Sequence, residues 1–467
     1  MWRNTPPLIP GDIVVKPSVL RSLFHLAWPM LVAQLAVMAN GAIDTVMAGR
    51  LSAVDLAAVG IGASIYVTVF VTVTGVLLAL TPTVARLHGA GRQREIGEEV
   101  RQSAWLALFL AMIAVVLLRH PGPLLALSRL TPAVEVKVRA YLYALSWSAA
   151  PAMLLRVFSG FTMGIGLPRA IMGFNLIGVA LKLPLNWIFM SGALERFGGP
   201  PPLGGPGCAV ATALISGLSC VLAWSWCAFA ADYRPYRVFA DFSPPRARLI
   251  AGLLKLGLPI GATFFVDVTA FSFMALFIAR LGPVTSAAHQ IAANLAALAF
   301  MLPLALGNAA GVLAGQALGA NDARRAGHVA LTGIAAGVAV GALLSLTLWL
   351  GAGTIAGWYT LDGRVRHLAA TLIGYVAVYH LFDALQAVAV NVLRGYRKSA
   401  VPMAIYALAL WGVGLGGGYV LGLTDRIEAR SGVQGFWLAA AASLALAGGL
   451  ATAYLLRVAR AAKPAPA

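Results

Sequence analysis

Three acidic side chains fall within stretches of the sequence that are otherwise apolar: Asp44, Asp267 and Asp383. A carboxylate at the centre of a membrane-spanning helix costs about 2.5–3.5 kcal/mol on insertion scales, so it is expected to face protein or water rather than lipid. A desolvated carboxylate can take up and release a proton, and its oxygens also suit Na⁺ or a cationic ligand. A purely structural role, in which each acid fixes helix packing through hydrogen bonds, stays open.

Two basic side chains also lie in apolar stretches. Lys182 stands four residues before Asn186, in the sequence LKLPLNW. It either extends its amine to the membrane interface or pairs with Asp44, and its position in the middle of the stretch favours the pair. For Arg156 two interpretations are open: bonds to backbone carbonyls, or a gate between conformational states.

The elements that position these residues are transmembrane helices. Of the 467 residues, 60% are hydrophobic and only 11% are charged, whereas soluble domains carry about 25% charged residues. We therefore predict an all-α integral membrane protein with twelve transmembrane helices in two pseudo-symmetric six-helix lobes. The predicted spans are 22–49, 54–80, 102–119, 138–163, 168–191, 207–230, 250–279, 284–310, 327–350, 368–393, 400–423 and 435–458.

An internal repeat supports the division into two lobes. At a constant displacement of 230 positions, Pro29 matches Pro259, Arg50-Leu51 matches Arg280-Leu281, and Gly89-Ala90 matches Gly319-Ala320. Chance explains single alanine matches in such a chain, but it explains these pairs in one ungapped frame poorly. Parallel repeats of this kind occur in secondary transporters, whose substrate sites lie between the repeats.

Basic clusters and apolar runs set the predicted domain boundaries and the orientation. The net charge of +18 is spread over short clusters between apolar runs, as the positive-inside rule predicts, so no nucleic-acid partner is expected. Both termini are predicted to be cytoplasmic, although Lys137 and Arg139 run against the rule. The predicted segments are a cytoplasmic tail at 1–21, an N-lobe at 22–230, a cytoplasmic linker at 231–249, a C-lobe at 250–458 and a cytoplasmic tail at 459–467.

Five stretches together resemble multidrug and toxic compound extrusion (MATE) transporters of the NorM type. They are DTVMAGRLSAVDLAAVG (44–60), VLLALTPTVARLHGAG (76–91), LGLPIGATFFVDVTAFSF (256–273), SAAHQIAANL (286–295) and LFDALQAVAVNVLRGYRKSAVP (381–402). The resemblance implies two lobes enclosing a cavity, and export of amphipathic cationic drugs in exchange for H⁺ or Na⁺. It implies that Asp267 and Asp383 form the second-lobe coupling-cation site, where Na⁺ is possible, and that Asp44 is the first-lobe acid.

The same resemblance implies further residues of a substrate cavity, which Asp44 would also line. Ser64 and Gln290 match polar cavity residues, although ordinary hydrogen bonding between helices accounts for them equally well. Asp362 matches a further acid. Phe300 stands where Na⁺-coupled relatives have a tyrosine beside the cation, and Lys182 stands where an asparagine is typical. The phenylalanine lacks the hydroxyl oxygen, and the lysine would supply a fixed positive charge where another member might bind an ion. Together these departures favour H⁺ over Na⁺.

The sequence thus predicts a secondary multidrug antiporter that works by alternating access. An alternative within the same superfamily is a flippase for lipid-linked oligosaccharide or peptidoglycan precursors, which usually has a strongly basic cavity. No P-loop, HExxH or GxSxG motif occurs, so we expect neither an enzyme nor direct use of ATP. We expect no cofactor and no structural metal. The protein is expected to be a monomer in the bacterial inner membrane.

Overall fold

The computed structural model describes residues 17–126, 130–195, 198–424 and 431–462. Residues 17–21 and 459–461 of the two predicted tails are helical, and the remainder of these tails lies almost wholly outside the described residues. Every regular element in the described part of the chain is a helix. The α-helices are α1 (Pro17–Leu51), α2 (Ala53–Gly75), α3 (Leu80–Gly89), α4 (Gln93–Arg119), α5 (Gly122–Ala126), α6 (Pro132–Ser146), α7 (Ala149–Gly164), α8 (Arg169–Ser191), α9 (Pro206–Phe229), α10 (Ala247–Ala279), α11 (Pro283–Gly319), α12 (Ala323–Tyr359), α13 (Gly363–Gly395), α14 (Ala400–Ala407), α15 (Gly417–Leu423) and α16 (Gly432–Ala461).

Two of the predicted spans contain a change of helix type. A 3₁₀ segment, Val76–Ala79, joins α2 to α3, and a π-helical segment, Leu408–Gly416, joins α14 to α15. A second 3₁₀ segment, Ala231–Tyr236, follows α9. π-Helical turns are rare and often accompany functional sites, and this one directly follows α14.

Among the described residues, eleven helical stretches are long and apolar enough to cross a bilayer, and each overlaps a predicted span. The predicted span 138–163 is different, because α6 ends before Trp147 and α7 begins after Ser148. The predicted span therefore consists of two helices. Pro151 has no N–H, and its ring conflicts with the carbonyl four residues earlier, at Trp147. The Ser148 hydroxyl donates to the Leu145 carbonyl at 2.7 Å, which stabilises the break.

The helices repeat in the same register as the sequence. Helices α1 and α10 begin at Pro17 and Ala247, α2 and α11 at Ala53 and Pro283, and α4 and α12 at Gln93 and Ala323. Each pair is displaced by 230 positions, as is the pair Gly89 and Gly319 at the ends of α3 and α11. The broken pair α6 and α7 corresponds to the continuous α13, where Leu381 stands in place of Pro151. The repeat therefore relates whole helices of the first half to whole helices of the second half.

The chain forms two compact units. Unit N comprises Val32–His88 and Arg92–Gly261, and unit C comprises the described parts of Met1–Leu31, Gly89–Gly91 and Ala262–Ala467. Two of the division points, after Leu31 and after Gly261, fall at corresponding places inside α1 and α10. The lobe boundaries predicted above stay a prediction.

In unit C, α13 packs against α11, α12 and α16. Glycines allow its backbone to approach α11 closely. A Cβ at Gly311 would lie 2.5 Å from the Asn391 carbonyl oxygen, and one at Gly307 would lie 2.8 Å from that of Ala387. Small residues at helix interfaces produce such close packing in membranes. The helix that carries Asp383 is thus fixed by backbone contact.

In unit N, the predicted linker 231–249 is ordered against α4. Gln102 is fully buried; its amide nitrogen donates to the Pro244 carbonyl at 2.9 Å, and its oxygen accepts from the Arg246 N–H at 2.7 Å. Tyr236 is buried, which raises its pKa to about 12, so its phenol stays neutral. The segment is therefore a packed element rather than a free connector.

Candidate functional site

Asp44 is held by an ion pair inside unit N. It lies buried on α1, and Lys182 of α8 places its Nζ 2.9 Å from Asp44 Oδ1. The Nδ2 of Asn186 donates to the same oxygen at 2.7 Å. Because positions 182 and 186 are four apart, both side chains lie on one face of α8. The ammonium group of Lys182 therefore compensates the negative charge of Asp44.

The Lys182 amine has no hydrogen-bonding capacity left for a ligand. Its side chain is 1% exposed, so it does not extend to the surface. Its Nζ also donates to the Cys208 carbonyl at 3.0 Å and to Thr212 Oγ1 at 2.5 Å. A lysine ammonium has three N–H donors, and three acceptors surround this one.

Asp383 lies in a different environment, on α13 in unit C. It is buried, and its Oδ2 lies 3.3 Å from Nδ1 of the fully buried His380. Within the described residues, neither that oxygen nor either ring nitrogen of His380 makes a hydrogen bond. Buried polar atoms are normally satisfied, so this group of three atoms has unused capacity for a proton or another ligand.

Asp267 faces the same region from α10. It is half-buried, and its Oδ1 accepts a hydrogen bond of 2.7 Å from the Tyr406 hydroxyl of α14. Its carboxylate interacts electrostatically with that of Asp383. In the part of the chain that the structure describes, no lysine or arginine lies within 4.0 Å of either carboxylate. The two acids therefore lack the fixed positive partner that Asp44 has.

Aromatic rings lie beside Asp267 and Asp383, which are here called the acidic cluster. Tyr379, one helical turn before Asp383, interacts electrostatically with both acids. Its ring centroid lies 6.4 Å from that of Phe271 and 6.0 Å from that of Trp437. Aromatic faces attract cations electrostatically. Carboxylates, a phenol and aromatic faces together suit a single cation, either a proton on oxygen or a larger positive group.

Apart from the buried Asp44, the predicted cavity residues are exposed or only half-buried. Ser64 is exposed on α2 and donates to the Gly60 carbonyl of its own helix at 2.9 Å. Gln290 is exposed on α11. Within the described residues, neither side chain makes the interhelical hydrogen bond that was the alternative explanation. Phe300 is half-buried on α11, and the hydroxyl beside Asp267 comes instead from Tyr406.

Two further predicted residues lie at protein surfaces. Asp362 is the N-cap of α13, where its Oδ1 accepts from the Arg364 N–H at 2.8 Å. Arg156 is exposed on α7, and its guanidinium makes no hydrogen bond or ion pair with any described residue. Of the two interpretations of Arg156, bonds to backbone carbonyls are not formed with any described residue, and the gate stays a prediction.

The sequence analysis missed three side chains beside the acidic cluster. Tyr379 and His380 precede Asp383 by four and three positions, so helical spacing alone could have found them. Tyr406 lies on another helix, and its contact with Asp267 has no local sequence signal.

The chain is similar in sequence and in fold to known proteins. A family model described as MatE matches residues 29–188 and 259–420. A probable multidrug resistance protein NorM of Aromatoleum aromaticum is 42% identical over 442 residues, which cover 94% of each chain. The multidrug resistance protein PmpM of Pseudomonas aeruginosa is 38% identical and covers 95% of this chain and 92% of its own. The solved Vibrio cholerae MATE transporter VcmN, in its bent form, superposes with a TM-score of 0.81 at 21% identity, over 95% of this chain and 98% of the other. That last likeness bears on the fold alone.

Proposed function

The chain belongs to the MatE family, and from that premise we propose that it is a secondary multidrug efflux transporter. It exports amphipathic cationic compounds in exchange for protons, by alternating access. Support for the drug substrates comes from the relatives, which are named as multidrug resistance proteins. As a member of this family, the protein is a transporter and not an enzyme.

One observation carries the proposal: two carboxylates in unit C have no lysine or arginine partner within the described residues. Within the described residues, Asp267 accepts a hydrogen bond from the Tyr406 hydroxyl, and Asp383 Oδ2 lies 3.3 Å from Nδ1 of the His380 imidazole. Uncompensated carboxylates in a low-dielectric interior attract positive charge strongly. Asp44, in contrast, is already paired with Lys182. We therefore assign coupling to Asp267 and Asp383, and a structural role to Asp44.

The coupling ion is assigned as H⁺ from the chemistry of the neighbouring groups. An imidazole beside a carboxylate can share a proton with it. Na⁺ prefers oxygen ligands, whereas the group beside Asp383 Oδ2 is the nitrogen Nδ1 of His380, at 3.3 Å. Phe300 supplies no oxygen at the position where Na⁺-coupled relatives are expected to have a tyrosine, and the hydroxyl beside Asp267 is that of Tyr406.

Exchange requires only that drug and proton bind the two conformations with different affinity. An amphipathic cation binds while the carboxylates are ionised, held by the aromatic side chains and by the negative charge. Protonation of Asp383 and Asp267 removes that charge and lowers the affinity, so the drug is released. The predicted cavity residues Ser64, Gln290 and Asp362 would line the drug's path.

The proposal also covers the oligomeric state, the membrane, the orientation of the chain and the bounds of its lobes. We place it as a monomer in the bacterial inner membrane with both termini in the cytoplasm, and we place the lobes at 22–230 and 250–458. The arrangement of basic residues between spans supports this orientation.

The assignment is tested by Asp383→Asn in a host that lacks its own drug pumps. We expect loss of dye efflux and of drug resistance at normal expression, because asparagine cannot bind and release the coupling proton. Asp322→Asn is the matched control, because Asp322 caps α12 and asparagine caps equally well. Unchanged resistance in Asp383→Asn would contradict the assignment. A wild-type protein that moves lipid-linked sugars and no dyes would favour the flippase instead.

A further inference from the structure

An apolar groove of about 440 Å³ lies in unit N between helices α4, α7 and α9 and the segment 231–246, here called the strap. Its walls are mainly aromatic and aliphatic, with two rings from the strap and two indoles from the helices. They include Trp105, Leu108, Leu154, Trp224, Phe239 and Phe242.

The strap is fixed firmly enough to form a permanent wall. The guanidinium of Arg101 on α4 donates to the carbonyls of Arg237 at 3.0 Å and Val238 at 3.1 Å. The Trp105 indole N–H donates to the Ser243 carbonyl at 3.1 Å. These bonds anchor the strap backbone at both ends of the groove, so the groove is a built feature of the fold.

The strap rings are exposed although they pack on the indoles. Phe242 is 84% exposed and Phe239 is 60% exposed. Their ring centroids lie 6.3 Å from Trp105 and 5.9 Å from Trp224, respectively, in edge-on geometry. Exposed aromatic side chains at the ends of spanning helices are typical of the membrane interface. This end of unit N therefore meets the headgroup region of the bilayer.

The groove continues into a surface that suits acyl chains. Leu108, which lines it, is followed on α4 by the exposed apolar side chains Phe109 and Met112. A hydrocarbon chain can thus run from the groove along α4 without meeting a charged group of that helix before Arg119.

The basic side chains of the strap are here called the rim, since Arg237 directly precedes the groove residue Val238 in the sequence. Arg234 and Arg237 are exposed on the strap, and neither side chain makes an ion pair or hydrogen bond with a described residue. Arg246 is also exposed and lies 3.6 Å from Glu98. Guanidinium groups match phosphate geometry and bind it through paired hydrogen bonds. One acid, Asp241, also lines the groove and would oppose an anion there.

We propose that this groove binds an anionic phospholipid from the leaflet that the strap faces. An acyl chain lies between Trp105, Trp224 and Phe242 and continues along α4, while the headgroup phosphate contacts Arg237. The charge of the rim selects anionic over zwitterionic lipid, and Asp241 weakens that selection. This proposal does not depend on the transport activity or on the coupling ion.

Native mass spectrometry of the purified full-length protein tests it. The protein is incubated with equal amounts of phosphatidylglycerol and phosphatidylcholine carrying the same acyl chains, and retained lipids are counted. We expect preferential retention of phosphatidylglycerol. Arg237→Asn should weaken that lipid's binding about fivefold and leave phosphatidylcholine unchanged, since one arginine near a headgroup contributes about that much. Arg237 has a φ of 50°, a conformation that asparagine tolerates, so the variant should fold.

Three further variants complete the test. Asp241→Asn should strengthen phosphatidylglycerol binding, which no general loosening of the strap would do. Phe242→Ala should weaken retention of both lipids. Arg364→Asn removes an exposed arginine from unit C and should change nothing. Equal retention of the two lipids by the wild-type protein would overturn the proposal, as would equal phosphatidylglycerol affinities for Arg237→Asn and Arg364→Asn.

Discussion

Buried aspartates of this protein differ chiefly in the partners that surround them. Asp44 meets an ammonium and an amide, whereas Asp383 meets an imidazole with unused hydrogen-bonding capacity. A buried ion pair is costly to break but has no free charge to offer a ligand. A carboxylate without such a partner keeps its affinity for cations. The type of residue alone therefore does not identify the coupling acid.

Lys182→Met should destabilise the protein by about 3–5 kcal/mol, because it leaves Asp44 as an uncompensated buried charge. The double variant Lys182→Met/Asp44→Leu should recover most of that loss, since apolar side chains of similar volume replace buried ion pairs well. The measurement is the free energy of unfolding in mixed micelles. Lys255→Met, at an exposed position of α10, should change it by no more than about 0.5 kcal/mol. An unchanged free energy for Lys182→Met would refute the closed-pair interpretation.

Tyr406→Phe should shift the pH dependence of exchange while preserving the fold. The hydroxyl of Tyr406 donates to Asp267 at 2.7 Å and stabilises its ionised form. Without that donor the carboxylate takes up a proton more readily, so the pH of half-maximal exchange should rise by about one unit. Efflux of a dye from proteoliposomes over a pH series measures this. Tyr375→Phe is the control, because the Tyr375 hydroxyl makes no hydrogen bond within the described residues. Identical profiles for Tyr406→Phe and wild type would exclude this role.

The residue-scale features that could be predicted from the sequence are those with local or compositional signals. Isolated acids in apolar stretches identified Asp44, Asp267 and Asp383, and the mid-span lysine suggested its pair with Asp44. The contact between Tyr406 and Asp267 joins positions 139 apart, and nothing in either local sequence indicates it. The sequence left two interpretations open for Arg156, because the direction of its side chain depends on how α7 packs.

At the scale of elements, single residues decide where corresponding helices differ. Pro151 breaks the helical run in the first repeat, and Leu381 leaves α13 continuous in the second. The proline was visible in the sequence, but membrane helices often tolerate proline because neighbouring groups satisfy the freed carbonyl. Apolarity therefore predicted the span, whereas the break coincides with Pro151 and with the bond from the Ser148 hydroxyl to the Leu145 carbonyl.

Gly311→Ala tests the close approach of α11 and α13. The added Cβ would lie 2.5 Å from the Asn391 carbonyl oxygen, so the helices must separate, at a cost of about 1–3 kcal/mol. Gly374→Ala, on α13, meets nothing within 4 Å and should stabilise by up to about 1 kcal/mol through helix propensity. Thermal unfolding of the two variants in one detergent provides the comparison. Stabilisation by both alanines would contradict the packing described for unit C.

Across the whole molecule, the helices of the two halves correspond, but the intramembrane acids do not. At the displacement of 230 positions, Met274 stands opposite Asp44, Val37 opposite Asp267, and Met153 opposite Asp383. The repeat therefore determines where helices begin and end, while Asp44, Asp267 and Asp383 have no acidic counterpart in the other half. The internal repeat in the sequence predicted well where the helices correspond. It could not show which of the three acids lacks a basic partner, because such partners come from helices distant in sequence.

The central claim is that the unit C carboxylates couple drug export to protons. The most direct measurement is efflux of a cationic dye from proteoliposomes of the purified protein under separately imposed H⁺ and Na⁺ gradients. We predict that a proton gradient alone drives export, that a sodium gradient alone does not, and that Asp383→Asn abolishes the proton-driven flux. Export that requires Na⁺ and ignores the proton gradient would contradict the account.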